Sequence, residues 1–192
     1  WGWESDDPIP VDERDRRLAE ADAALTLLTN RVDDGFLDAG PKLRVVANVA
    51  VGHNNVDAAA CAASGVTVTN TPGVLTDATA DIAMALVLMS TRRLAEGERL
   101  IRSGELWKWG MFMLLGTSIQ GRTLGIVGMG EIGEALATRA RAFGMNVVYH
   151  NRRRAAPEVE ERLQARLLPL DELLECGDVV SINCPYTPDT HH

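Results

Sequence analysis

Short apolar runs alternate along the chain with longer stretches whose apolar positions recur every three or four residues. A run of four to eight apolar residues suits a buried strand, and the longer period suits a helix with one buried face. Their alternation predicts parallel α/β architecture. In the first part, strands are predicted at 24–28, 44–47 and 66–69, with helices at 11–21, 33–39 and 57–64. Asp57 sits where its carboxylate can accept a free first-turn amide as a helix N-cap.

The sequence Thr71-Pro72-Gly73 breaks this pattern and marks a candidate hinge. A long helix is predicted over 77–103, with Ile82, Ala85, Leu86, Met89 and Leu94 at helical spacing. Its first half is apolar on nearly every side, which predicts burial between domains or subunits. Its second half carries Arg92, Arg93, Glu96, Glu98, Arg99 and Arg102, a solvated face. Residues 104–120 read as an irregular arm rich in apolar side chains, among them Trp107, Trp109, Met111 and Phe112. Packing on a second subunit and packing within the chain both account for it.

From Gly121 onward the rhythm is more regular. A strand at 123–127, a helix at 131–143 closed by Gly144, and a strand at 146–150 are followed by a helix at 157–165. A short strand near Leu167, a helix at 170–176 and a strand at 178–183 complete the pattern, half of a doubly wound sheet. The predicted fold is two Rossmann-like domains. Residues 1–72 are expected to form a flavodoxin-like domain, and 73–192 a second, doubly wound domain with its helix 77–103 and arm 104–120. Both are read as incomplete, the first lacking its N-terminal strand.

Composition narrows the function. The 27 acidic residues outnumber 19 lysines and arginines for a net charge of −8, which argues against nucleic acid as a partner. The apolar stretches fall short of the roughly 20 residues a membrane span needs. Cys61, Cys176 and Cys184 match neither a disulfide framework nor a zinc site, so no metal is expected. They predict a reducing, cytoplasmic setting and three buried structural thiols.

The central motif is Gly128-Met129-Gly130-Glu131-Ile132-Gly133. Such a loop alone is a weak signal, but here a predicted strand precedes it, and a helix and second strand follow. Gly128 permits the tight turn, Gly130 leaves the backbone bare for a pyrophosphate, and Gly133 lets helix and strand approach. Free amides at the helix N-terminus, including those of Glu131 and Ile132, favour phosphate. At the end of the second strand an NAD site usually places Asp or Glu for the ribose 2′-hydroxyl. This chain reads His150-Asn151-Arg152-Arg153-Arg154. A carboxylate there would repel a 2′-phosphate, whereas a guanidinium binds one through paired charge-assisted hydrogen bonds. NADP(H) is therefore favoured over NAD(H). Arg152 and Arg153 are the predicted clamp, and Asn151 adds a neutral hydrogen bond. The alternative is a solvated basic loop.

Other segments then fall into a known order: Val51-Gly52-His53-Asn54-Asn55-Val56-Asp57, the stretch from Asn70 to Asp81, Gly121 to Gly133, Tyr149 to Arg153, and Cys184-Pro185-Tyr186-Thr187-Pro188. With these the chain resembles the D-2-hydroxyacid dehydrogenase family, in particular its glyoxylate/hydroxypyruvate reductase branch. The resemblance implies two α/β domains with an active site in the cleft, and reduction of a 2-oxo acid by hydride from a nicotinamide. It implies that Val51 and Gly52 hold the substrate carboxylate through backbone amides. It implies that Thr79 contacts the cofactor near the nicotinamide, helix capping being the rival reading, and that Cys184 and Pro185 line the dinucleotide. It also implies a homodimer formed through the cofactor domain.

The family's catalytic Arg, Glu and His match nothing in this sequence, and are expected downstream of His192. His53, His150, His191 and His192 fit none of those roles. The ending Thr187-Pro188-Asp189-Thr190-His191-His192 resembles native family sequence, so truncation is favoured over a tag. Two other readings stay open: another D-2-hydroxyacid dehydrogenase such as phosphoglycerate dehydrogenase, or a dinucleotide-sensing protein of the corepressor kind that does not turn over substrate.

Overall fold

The computed structural model describes residues 2–5, 7–187, 190 and 191. The readings placed on Pro188, Asp189 and His192 lie outside the described residues. The backbone divides into two compact units, Trp1–Val74 and Leu75–His192.

The first unit runs α1 (Val11–Leu18), β1 (Ala23–Thr26), α2 (Asp34–Ala39), β2 (Val45–Asn48), α3 (Ala58–Ala63) and β3 (Thr67–Thr69). Its strands form a parallel sheet in the order β1-β2-β3. Val32, Phe36, Leu37, Leu43, Val46 and Cys61 are buried around it. Both short central helices begin on aspartates. Asp33 accepts from the Phe36 amide at 3.2 Å. Asp57 accepts from those of Ala59 and Ala60 at 3.0 and 2.9 Å. Each cap contributes about 1 kcal/mol, and more relative weight falls on it when the helix has only two turns.

The second unit opens with α4 (Thr76–Arg92) and α5 (Leu94–Ser103). It continues β4 (Thr123–Val127), α6 (Glu131–Ala142), β5 (Asn146–His150), α7 (Pro157–Leu163), β6 (Ala165–Leu167), α8 (Leu170–Cys176) and β7 (Val179–Ile182). All four strands are parallel, in the order β6-β5-β4-β7. Three successive residues of β4, Leu124 to Ile126, are buried, as in a strand covered on both faces. On one face Gly125 leaves room for Leu173 of α8: a Cβ there would lie 2.6 Å from its side chain. On the other face Ile126 meets α6 at Gly133. Helices on both faces make this half a doubly wound α/β layer.

The predicted helix over 77–103 is two helices. Arg93 adopts the left-handed conformation, φ 54° and ψ 36°, and separates α4 from α5. The break frees the Thr91 carbonyl, which accepts the Thr117 amide at 2.7 Å as the following arm turns back. Gly116 makes this return possible, because a Cβ there would stand 2.5 Å from the same carbonyl oxygen. Within the unit, the apolar residues of α4 divide between two faces. Ala80, Met84 and Val87 face the core, whereas Ile82, Leu86 and Met89 are exposed. The arm is irregular as expected, and Trp109, Met111 and Phe112 are exposed.

Of the three cysteines only Cys61 is buried; Cys176 is exposed and Cys184 half-buried, against the expectation of three interior thiols. Cys176 falls on the last turn of α8, whose buried position is Leu173. Among the described residues no helix is long and apolar enough to cross a membrane.

Candidate dinucleotide site

Parallel register brings three loops to one edge of the second sheet. Val127 pairs with His150 on one side and Ile182 on the other, so β4, β5 and β7 end together. The chain steps outward from β4 through β5 to β6, then returns to place β7 on the opposite flank of β4. The order reverses between β4 and β7, and ligands of open α/β sheets bind beyond the strand ends at such a point.

The glycines at this edge do three different things. Gly128 has φ 94°, and a Cβ there would meet the Cys184 amide nitrogen at 2.5 Å. It therefore closes the turn against the chain leaving β7. A Cβ on Gly133 would lie 2.9 Å from the Gly128 carbonyl oxygen and 3.2 Å from Ile126, so its absence lets α6 approach. Gly130 has nothing within 4 Å of its missing Cβ, and presents bare backbone to open space. Met129 is buried between them and anchors the loop in the core. Among the described residues, the amides of Glu131, Ile132 and Gly133 donate to no acceptor. Bare backbone, free amides and a helix N-terminus are what an anionic pyrophosphate requires, so the residues present fit a dinucleotide.

Asn151, expected to offer the ligand a hydrogen bond, is also the residue that holds the loop. Its Oδ1 accepts from the Met129 amide at 2.7 Å, and its Nδ2 donates to the Met129 carbonyl at 3.0 Å. Both ends of the amide are engaged, which locks the end of β5 to the glycine loop. The three arginines that follow are not equivalent. Arg152 and Arg153 are exposed, and among the described residues neither has an ion-pair partner. Arg154 forms an ion pair with Glu160 at 2.8 Å. Arg154, and secondarily the Tyr149 hydroxyl, hold the Glu160 carboxyl below the usual range. Burial, and then the Glu160 carboxylate, push the Tyr149 hydroxyl up.

The N-terminal turn of α4 reaches the same loop. The Thr76 hydroxyl donates to the Glu131 carboxylate at 3.2 Å. Thr79 lies one turn further on the same helix face. It stands at the fourth position of α4, inside the helix, so it is not an N-cap. Arg139 of α6 reaches back to Asp81 at 2.6 Å and Asp77 at 3.1 Å, fixing the two helices together. Sequence reasoning assigned Arg139 no role, since its partners are about sixty positions away. Cys184 touches Gly128 through its backbone, and Pro185 is exposed beside it. His150 directs its ring nitrogen Nδ1 to the Leu168 carbonyl at 3.0 Å, a fastening within the fold.

In the first unit, Val51 and Gly52 lie in the loop that leaves β2. Among the described residues their amides donate to no acceptor, while their carbonyls accept from Asn70 at 2.9 Å and Asn48 at 3.0 Å. The loop is thus held by its oxygens, and its N–H groups are not used within the fold. Beneath it, buried Asn48 also accepts from the Thr26 hydroxyl at 3.0 Å and from Asn55 at 3.1 Å. Asn55 in turn donates to the carbonyls of Leu27 and Asn30 at 3.1 and 2.9 Å. As loop supports Asn48 and Asn55 carry no mark in the sequence, since only the fold brings them to Thr26, Leu27 and Asn30.

Comparison with known proteins agrees with this geometry. Residues 84–192 match the model of the D-isomer specific 2-hydroxyacid dehydrogenase NAD binding domain. A glyoxylate reductase of Thermococcus onnurineus is 46% identical over 99% of this chain and 58% of its own length. A solved protein of Thermus thermophilus superposes with a TM-score of 0.88 at 43% identity, over 95% of this chain and 57% of its own. The D-lactate dehydrogenase of Aquifex aeolicus, solved with NAD and lactic acid, gives 0.82 at 27% identity, over 93% and 52%. The chain therefore spans a little over half the length of the relatives it matches. A glycine loop at the switch point of a parallel sheet, an NAD-binding family model over more than half the residues, and relatives alike along nearly all of the chain lead to one assignment: the chain belongs to the D-isomer-specific 2-hydroxyacid dehydrogenase family.

Proposed function

We propose that the protein carrying this chain is an NADPH-dependent reductase of a small 2-oxo acid, turning glyoxylate into glycolate or hydroxypyruvate into D-glycerate. The observation that carries the cofactor preference is the end of β5. No carboxylate stands there, Arg154 is engaged by Glu160, and Arg152 and Arg153 extend without an ion-pair partner among the described residues. That pair suits the 2′-phosphate of NADP(H). When bound, the nicotinamide supplies the hydride; the chain's own residues bind and orient. Gly128, Gly130, Glu131, Ile132 and Gly133 take the pyrophosphate, with Asn151 bracing the loop, Cys184 and Pro185 beside it, and Thr79 on the nicotinamide side. The free amides of Val51 and Gly52 take the substrate carboxylate. The glyoxylate reductase name of the Thermococcus onnurineus relative supports the substrate class.

In this reading residues 1–72 bind substrate and 73–192 bind the dinucleotide. The protein is a cytoplasmic homodimer joined through its cofactor domains. The exposed stripe of Ile82, Leu86 and Met89 and the arm with Trp109 and Phe112 supply the apolar surface for it.

Steady-state kcat/KM for NADPH and NADH, with glyoxylate, hydroxypyruvate and pyruvate as acceptors, tests the proposal in the full-length protein. A preference of at least about tenfold for NADPH is expected, the scale of one charge-assisted contact. Preference for NADH overturns the cofactor reading, and absence of turnover with all three acids overturns the enzymatic one.

A further inference from the structure

We propose that Tyr149, Glu160 and Arg154 form a positioning lock that sets dinucleotide preference by holding Arg152 and Arg153 in place. The inference rests on the NADP(H) reading above.

The lock ties the two ends of the basic loop to each other. Tyr149, the penultimate residue of β5, is fully buried. Its hydroxyl accepts the amide of Ala155 at 2.9 Å, six residues on, and donates to the Glu160 carboxylate at 2.6 Å. The same carboxylate receives Arg154 through both Nε, at 3.0 Å, and Nη2, at 2.8 Å. A two-pronged guanidinium–carboxylate pair fixes orientation as well as distance. At the other end Asn151 is fastened to Met129. Between these anchors only Arg152 and Arg153 remain, on a span too short to wander.

The arrangement also solves an electrostatic problem. Glu160 lies near the basic loop with its side chain only 13% exposed. Left unpaired, it would draw Arg152 or Arg153 inward and repel an incoming phosphate. Arg154 is used against it, which leaves the other two guanidinium groups for the ligand. The third arginine is therefore a positioning residue and not a phosphate ligand. Its sequence neighbours share its charge but not its task.

Titration calorimetry on the full-length protein with 2′,5′-ADP and 5′-AMP provides the test, because the two probes differ only in the 2′-phosphate. Wild type is expected to prefer 2′,5′-ADP. Tyr149→Phe should lose about tenfold in affinity for 2′,5′-ADP while its affinity for 5′-AMP is unchanged, since only placement of the clamp is disturbed. Arg154→Ala should do the same, with partial recovery in Arg154→Lys, which keeps the charge but not the fork. Arg152→Ala serves as the reference for loss of a direct ligand. Equal losses for both probes in Tyr149→Phe and Arg154→Ala, or no loss in either variant, would overturn the lock. An Arg154→Ala loss as large as that of Arg152→Ala, with Tyr149→Phe silent, would make Arg154 a ligand and overturn it too. A wild-type protein that binds 5′-AMP as tightly as 2′,5′-ADP instead removes the NADP(H) reading itself.

Discussion

Single residues at the nucleotide edge separate folding from binding. Gly128, Gly130 and Gly133 look alike in the sequence, yet an added methyl meets backbone at the first, open space at the second, and a carbonyl at the third. Gly130→Ala should therefore keep the wild-type melting temperature and lose dinucleotide affinity, because the methyl occupies the ligand's approach and nothing else. Gly128→Ala and Gly133→Ala should lower both; overpacking of this kind costs about 1–3 kcal/mol. Thermal melts alongside fluorescence titration with NADPH check the contrast, which fails if Gly130→Ala melts as low as the other two. The roles of Gly128 and Gly133 were readable because strand, loop and helix start fall within one short stretch, 123–133. Those of Asn48, Asn55 and Arg139 were not, since each depends on a partner that only the fold brings near.

At the scale of elements, β4, β5 and α8 lie where the hydrophobic pattern puts them, because their ends coincide with turn residues and their burial follows from local sequence. The helix break at Arg93 left no such mark. Neither of its immediate neighbours, Arg92 and Leu94, is a glycine or proline, and the break accompanies a contact with Thr117, far along the chain. Position within a stripe was equally hidden. Helical period says that α4 has an apolar face, but α4 has apolar residues all round, and only packing against α6 selects Ala80, Met84 and Val87. The break divides two helices of unequal anchorage: α4 buries three side chains and α5 none. Hydrogen exchange read by mass spectrometry should show amides of 94–103 exchanging much faster than those of 80–90 in the monomer. Equal protection would mean that α5 is held as firmly as its neighbour.

At the scale of the molecule, the first helix and arm of the second unit carry a large share of the exposed apolar side chains. Ile82 is 64% exposed, Leu86 58%, Trp109 85% and Phe112 78%. Under the homodimer reading, Leu86→Glu should shift the full-length protein from dimer to monomer in light scattering, without altering the buried core, to which exposed Leu86 does not belong. An unchanged dimer mass would move the interface elsewhere.

The contact of Gly128 with Cys184 has a consequence in time as well as space. The loop and its helix can form from neighbouring residues within microseconds. The wall behind Gly128 arrives only when β7 pairs with β4, after β5, α7, β6 and α8 have been laid down, a closure that joins Leu124 to Val179. Non-local parallel pairing is slow compared with local helix formation. On a ribosome the glycine turn therefore emerges well before the strand that supports it, and the nucleotide cradle is finished late. Competence to bind the dinucleotide therefore waits on the pairing of β7 with β4.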